Sequence, residues 1–120
     1  MISGLDHVQL AAPAGSEELL RAFYVGVLGM RELPKPPALA VRGGCWFTAG
    51  AAELHLGVEE GFRAARKAHP GLVVAELDAL AARLAAAGAP VVWDGSIPGR
   101  RRFHSEDPVG NRLEFLSHQA

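Results

Sequence analysis

The sequence predicts an α+β fold built from two paired βαβββ modules that together form a cupped mixed sheet. Three observations predict it. Strand-like alternation gives way to a helical period and then to short strands twice over, at an offset of about sixty residues. Each pass begins at a histidine, His7 in the first and His69 in the second. The 120 residues suit one domain, a size of roughly 100–150 residues being common. The two passes therefore read as halves of a single domain spanning 1–120: module one about 1–58, a linker about 59–68 and module two about 69–120. Two copies at this spacing do not make a solenoid, whose units run to roughly 20–50 residues and recur more often. They suggest a duplication whose two sheets face each other.

In module one, residues 5–11 read as a strand with His7 and Gln9 on one face and Val8 and Leu10 on the other, because successive strand side chains point to opposite sides. Ser16 offers a helix N-cap, and Glu17 and Glu18 place carboxylates in the first turn, where the helix dipole favours them. Leu19, Leu20, Phe23, Tyr24, Val27 and Leu28 follow at helical spacing until Gly29 stops the run. Pro34, Pro36 and Pro37 mark a loop, since proline cannot serve a sheet interior. Strands are expected to resume at about 39–42, 44–48 and 52–58.

The linker, with Arg63, Arg66 and Lys67, reads as a connection or a short helix. Module two then repeats the plan. Gly71 to Glu76 reads as a strand, and Asp78 opens an alanine-rich helix with Leu80, Leu84 and Ala87 on its apolar face, stopped by Gly88. Val91 to Trp93 is a short strand followed by a turn through Gly95, Pro98 and Gly99. Residues 101–106 and 111–117 form a hairpin around Asp107-Pro108-Val109-Gly110-Asn111, residue types that favour a turn.

Composition narrows the functional classes. At 49% hydrophobic and 21% charged residues the chain can bury a core without disulfides or a structural zinc. Its single cysteine, Cys45, cannot form an internal bridge, as expected in a reducing cytoplasm. Twelve basic against thirteen acidic residues give a formal charge of −1. The run Arg100-Arg101-Arg102 is too short and narrow for a nucleic-acid footprint. The start of the chain shows no cationic stretch leading into an apolar one, and no apolar run approaches the roughly 20 residues that cross a bilayer. A soluble, cytoplasmic protein without nucleic-acid or membrane partners is expected. No phosphate-binding glycine loop, nucleophile elbow or CxxC pair is present.

The duplication also locates candidate chemistry. His7 and His69 open the first strands of their modules, while His55 and Glu114 lie in the last strands, each between apolar neighbours. The separation from His7 to His55 nearly equals that from His69 to Glu114. A pseudo-twofold relation would bring the four together where the modules meet. Imidazole nitrogen with carboxylate oxygen suits zinc, manganese, iron, cobalt or nickel, and a site without cysteine argues against structural zinc. Glu114 between Leu113 and Phe115 is the sharpest hint, because an inward carboxylate without a cation is costly. The competing reading makes these residues polar strand ends with no metal.

These residues carry a resemblance. Asp6-His7-Val8-Gln9-Leu10, the phrase from Phe23 to Met30, the restart at His69 and above all the ending from Arg102 to Phe115 are, in this order, similar to the vicinal-oxygen-chelate superfamily. That superfamily contains glyoxalases, methylmalonyl-CoA epimerase, fosfomycin-resistance proteins, extradiol dioxygenases and bleomycin-resistance proteins. The resemblance covers almost the whole chain and implies a glyoxalase-like fold. It implies metal ligands at His7, His69 and Glu114, often joined by the position of His55. Glu or Gln usually stands there in glyoxalase-like and epimerase-like members, so His55 is either a fourth ligand, a general base or a residue behind the ligands. By the same resemblance His104 faces the cavity, where the fosfomycin-resistance group has a tyrosine, and takes a substrate or acid–base role. Gln9 shares the face of His7 and is a candidate substrate contact, and Trp46 a candidate cavity wall. Asp94 and Pro98 depart from the cationic and hydroxyl residues of the fosfomycin-resistance group.

The resemblance thus implies a divalent-metal-dependent enzyme for a small substrate that chelates the metal through neighbouring oxygens. Lyase, isomerase or epimerase, and dioxygenase chemistry all remain open, as does a homodimer with ligands within one chain or shared across two. The alternative is a non-catalytic protein of the bleomycin-resistance kind, holding a flat cationic drug against Trp46 and Trp93.

Overall fold

The computed structural model describes residues 1–118. By its internal contacts the chain divides into unit 1, Met1–Ala64, and unit 2, which starts at Ala65. Each carries a four-stranded mixed sheet and few helices, the α+β plan of two βαβββ modules.

Unit 1 runs β1 (Val8–Ala12), α1 (Glu17–Tyr24), β2 (Arg31–Leu33), α2 (Pro37–Ala40), β3 (Cys45–Ala49) and β4 (Ala52–Val58). The sheet order is β1-β4-β3-β2, with β1 parallel to β4 and the remaining pairs antiparallel. On α1 the apolar spacing buries Leu20, Phe23 and Tyr24, and the Tyr24 ring stacks on Phe47 of β3 with centroids 5.0 Å apart. Ser16 precedes the helix but spends its hydroxyl on the Pro13 carbonyl at 2.7 Å, not on a helix amide. The first-turn carboxylate of Glu17 instead accepts from the Gly44 amide at 2.7 Å, which draws the start of β3 to α1. Helical hydrogen bonds continue past Tyr24, with Val27 donating to the Phe23 carbonyl, until Gly29 at φ 73° turns the chain away.

The strand expected at 39–42 is a single helical turn, α2. Pro37 at its first position has the preset φ and needs no N–H there, and the Leu39 and Ala40 amides both close on the Pro36 carbonyl at 2.9 Å. The missing strand lies earlier, at β2, whose Glu32 accepts from Arg21 of α1 at 2.8 Å.

Unit 2 runs β5 (Gly71–Val73), α3 (Leu77–Ala86), β6 (Val92–Trp93), β7 (Arg102–Glu106) and β8 (Arg112–Leu116), in the order β5-β8-β7-β6 with β5 parallel to β8. The segment 59–68 contains no helix, and β5 is shorter than expected. On α3, Leu77 and Leu84 are buried and Leu80 half-buried, whereas Ala87 lies beyond the last turn and is exposed. The β7–β8 turn is held by buried Asp107, whose Oδ1 accepts from the amides of Val109 and Asn111 at 3.0 and 2.9 Å. The Asn111 side chain donates back to Asp107 Oδ2 at 3.0 Å, so the motif's polar residues act on the turn itself.

Register gives the two units the same frame. His55 of β4 lies opposite Gln9 of β1 and Trp46 of β3. Glu114 of β8 lies opposite Gly71 of β5 and His104 of β7. His7 stands two residues before Gln9, and His69 two before Gly71. The odd–even alternation leaves Cys45, Phe47, Leu54 and Leu56 buried on the opposite face in unit 1, and Phe103, Ser105, Leu113 and Phe115 in unit 2.

Candidate metal centre

In unit 2 three potential ligands converge. His69 comes from the segment entering β5, His104 from the middle of β7 and Glu114 from the middle of β8; one donor atom of each lies within 4.8 Å of the others. His69 Nε2 is 2.8 Å from Glu114 Oε1, and His104 Nε2 is 3.7 Å from the same oxygen. The His69 and His104 rings meet edge to face at 5.5 Å.

The hydrogen-bond partners of His69 leave room for a cation beside it, either a proton or a metal ion. Its Nδ1 lies 2.7 Å from the Lys67 carbonyl, and a carbonyl only accepts, so Nδ1 carries the hydrogen. In a neutral ring Nε2 then presents a lone pair to a carboxylate oxygen, which also only accepts. Two acceptors at that distance need a positive charge between them: a proton, giving an imidazolium, or a metal ion. A histidine that donates one nitrogen to a backbone carbonyl and aims the other at a cation is the usual posture of a metal ligand. With two imidazoles and one carboxylate, the donor set suits manganese, iron, cobalt, nickel or zinc.

Glu114 is 9% exposed. Burial alone pushes its carboxyl pKa up, but hydrogen bonds from His69 and Arg102 and the charges of Arg102 and His104 overcome this and hold it below the usual glutamate value. Burial, with the nearby charges of Arg112, His69 and Arg102, pushes His104 below the usual histidine value against the opposing pull of Glu114. The neutral imidazole that metal ligation or proton acceptance requires is therefore favoured at His104.

Sequence reasoning missed Arg102. Its Nη1 donates to Glu114 Oε2 at 2.9 Å, and its Nη2 donates at 2.9 Å to both Asp94 Oδ2 and Ser96 Oγ. The run Arg100-Arg101-Arg102 looked like one short surface patch, yet its members go separate ways. Arg100 donates to the Ser117 carbonyl, Arg101 pairs with both oxygens of Asp78 and covers the Trp93 ring at 4.8 Å, and Arg102 turns to the His104 face. The strand period of two, applied to Arg102, His104 and Glu114, holds the information that would have found it. These arginines, with Trp93, Asp94 and Ile97, line a pocket of about 450 Å³ in unit 2.

Unit 1 brings three other predicted residues together differently. The His7 ring stacks on His55 at 4.0 Å and 15°, and His55 stacks on Trp46 at 4.1 Å and 7°. His55 is buried, and its Nε2 is 2.7 Å from Glu53 Oε2, so Nε2 carries a hydrogen and donates to that carboxylate. His7 Nδ1 is 2.8 Å from Asp6 Oδ2. Gln9 shares this face: its amide lies over Gly57, where any Cβ would strike it. Glu53, which accepts the Nε2 hydrogen of His55, is a second residue the sequence reading passed over. His118 is exposed, and burial raises the Cys45 thiol to about 11, so it carries no thiolate chemistry near neutral pH.

Comparison with known proteins agrees with this architecture. The model of the glyoxalase-like domain family matches residues 9–116. A glyoxalase family protein from Bacillus anthracis is 47% identical with a TM-score of 0.94, covering 99% of this chain and 98% of that one. A mutant of the fosfomycin resistance protein FosX from Listeria monocytogenes, complexed with Mn(II) and 1S,2S-dihydroxypropylphosphonic acid, is 17% identical with a TM-score of 0.82 over 99% and 95% of the two chains. Lactoylglutathione lyase from Agrobacterium tumefaciens is 23% identical with a TM-score of 0.67 over 92% of each chain. The last two are similar in fold. No curated protein matches the chain.

Proposed function

The chain belongs to the glyoxalase-like domain family of the vicinal-oxygen-chelate superfamily, and from that premise we propose that it is a divalent-metal-dependent enzyme acting on a small substrate with two neighbouring oxygens. The observation that carries the proposal is the His69–Glu114 contact, where two acceptors 2.8 Å apart call for a cation and His104 stands beside them. His69 Nε2, His104 Nε2 and Glu114 Oε1 are the proposed donors in unit 2. The pairing of the modules in sequence extends the proposed ligand set to His7 and His55. A bound divalent ion supplies Lewis acidity toward a substrate oxygen on which charge develops.

The remaining steps fall to the chain's own groups. His104, if not engaged as a ligand, offers a neutral imidazole that takes up and returns a proton. His55, its Nε2 hydrogen held by Glu53, offers Nδ1 as an acceptor when the ring is neutral, and Trp46 and His7 keep that ring from rotating. Gln9 and Trp46 are proposed to contact substrate. Isomerisation or epimerisation, lyase chemistry and ring-cleaving oxygenation all use such a set. The proposal includes a single glyoxalase-like domain, a homodimer and a cytoplasmic location. Manganese is the first ion to try, because the FosX relative in fold is complexed with Mn(II). A second reading, a non-catalytic binder of a flat cationic drug, draws on the Trp46–His55–His7 stack.

Metal analysis of protein purified without added metal, followed by titration with Mn²⁺, tests the main reading. Stoichiometric uptake is expected for the wild type, with loss in His69→Ala and Glu114→Gln and weakening in His7→Ala and His55→Ala. A wild type that takes up none of manganese, iron, nickel, cobalt or zinc overturns it. Heat of binding from bleomycin-like compounds in such a metal-free protein would then favour the second reading.

A further inference from the structure

The two oxygens of Glu114 have different partners. Oε1 faces His69 and His104, while Oε2 receives Arg102 Nη1 at 2.9 Å. The same guanidinium is tied at Nη2 to Asp94 and Ser96, and its side chain is only 14% exposed. Three acceptors on one planar group fix its rotation, and charge-assisted bonds of this kind are the stronger ones. Rotating Glu114 to bring both oxygens toward one cation would compete with the bond from Arg102, which occupies one acceptor position on Oε2 and holds the carboxylate in its present orientation. Asp94 also offsets the positive charge of Arg102, so the guanidinium is not a lone cation beside the place where a metal would sit. Nothing in the repeat demands this clamp: in register, the unit 1 counterpart of Arg102 is Gly44, which has no side chain.

We propose that Arg102 is a positioning residue that restricts Glu114 to single-oxygen contact with a divalent cation, leaving one more coordination position to exchangeable water and hence to substrate. The inference rests on the metal-site reading above. A carboxylate binds a divalent ion through one oxygen or two. In this site the choice is made by the neighbour that occupies the second oxygen, and the Asp94–Ser96 segment keeps that neighbour in place.

The test is water-proton relaxation of the Mn²⁺-loaded protein, which reads how many exchangeable waters the bound ion keeps. Arg102→Met frees Glu114 Oε2 and is expected to lose one exchangeable water relative to wild type. Arg102→Lys retains a cationic donor for that oxygen and is expected to restore the wild-type value, a rescue that a purely structural role would not produce. Bound Mn²⁺ with the same hydration in Arg102→Met and wild type overturns the positioning role and leaves the metal site standing. A wild type that takes up no Mn²⁺ overturns the metal site and this inference with it. Should Arg102→Met fail to fold, Asp94→Asn decides the question: fewer exchangeable waters support the clamp, and an unchanged number overturns it.

Discussion

At the centre of the unit 1 sheet, His55 is flanked by flat rings, with His7 on one side and Trp46 on the other. At the same place in unit 2, Glu114 is surrounded by hydrogen-bond donors and nitrogen ligands: His69, His104 and Arg102. The two positions correspond by register, since each lies opposite the residue two beyond its leading histidine. His104 thus stands where Trp46 stands. A duplicated scaffold has set the same three places on each sheet and filled one set for stacking and the other for charge. Stacking holds a ring in place whatever its protonation, whereas the unit 2 arrangement works only if a positive charge sits among its acceptors. The cluster of potential ligands therefore lies in unit 2, and the stack of flat rings in unit 1.

The largest effects should come from what the units share, their buried opposite faces. Phe47 and Phe103 are each fully buried, and Phe→Ala in such a core costs about 3–5 kcal/mol. Denaturant titration should place both variants in that range. A near-silent result for one of them would mean that the two cores do not carry comparable weight. Next come the central residues themselves, compared in metal-free protein. Glu114→Ala removes charge-assisted hydrogen bonds to His69 and Arg102 and should cost about 2–3 kcal/mol. His55→Gln keeps a side-chain N–H for Glu53 but removes two ring stacks, and should cost about 1–2 kcal/mol. Equal losses, or the reverse order, would break the contrast between charge network and stack.

Acid should weaken unit 2 for the same reason. The folded Glu114 carboxyl lies below its ordinary value of 4.5, burial being outweighed by His69 and Arg102. The unfolded chain therefore binds the proton more readily, and the stability Glu114 contributes is whole above 4.5 and lost as pH falls through the folded value. His104, pushed down from 6.5 by burial and by neighbouring cations, acts in the same direction at higher pH. Below 6.5 the unfolded histidine takes a proton that the folded one resists, and stability declines until the folded ring also titrates. The urea midpoint of metal-free protein, followed from neutral to mildly acidic pH, should fall. In His104→Gln the upper part of that fall should flatten, and a profile identical to wild type would contradict it.

The repeat was legible because it lies in spacing, and spacing survives without knowledge of contacts. His7 with His55 and His69 with Glu114 could be matched as pairs, and the ending from Arg102 to Phe115 marked the last hairpin. What stayed hidden depends on register. That His104 lies opposite Glu114 follows only when β7 and β8 are aligned through the Asp107–Asn111 turn. Arg102 was hidden by its neighbours, because three consecutive arginines look like one patch until the strand period separates them. The region after α1 was misread for a local reason. Leu39 to Arg42 has the residue types of a strand, but Pro37 starts a helical turn there, and the short β2 is too brief for its alternation to show.

The smallest effect tests the buried face at the residue where the units differ most. In register, Ser105 of β7 is the counterpart of Phe47 of β3, and Cys45 is the counterpart of Phe103, so the large and small residues have exchanged places along the strand. Ser105 is 2% exposed, and its Oγ has no hydrogen-bond partner among the described residues. A buried hydroxyl without a partner gains nothing from folding and loses its hydration, and replacing it by a methyl group of nearly the same shape removes that loss. Ser105→Ala should therefore sit within about 1 kcal/mol of wild type, on the stabilising side, in the denaturant titration used for Phe47→Ala. A loss larger than that would show that the hydroxyl is bonded in solution. Position 105 would then be a polar contact of unit 2 with no equivalent at Phe47, and the two buried faces would differ in chemistry as well as in the order of their large and small residues.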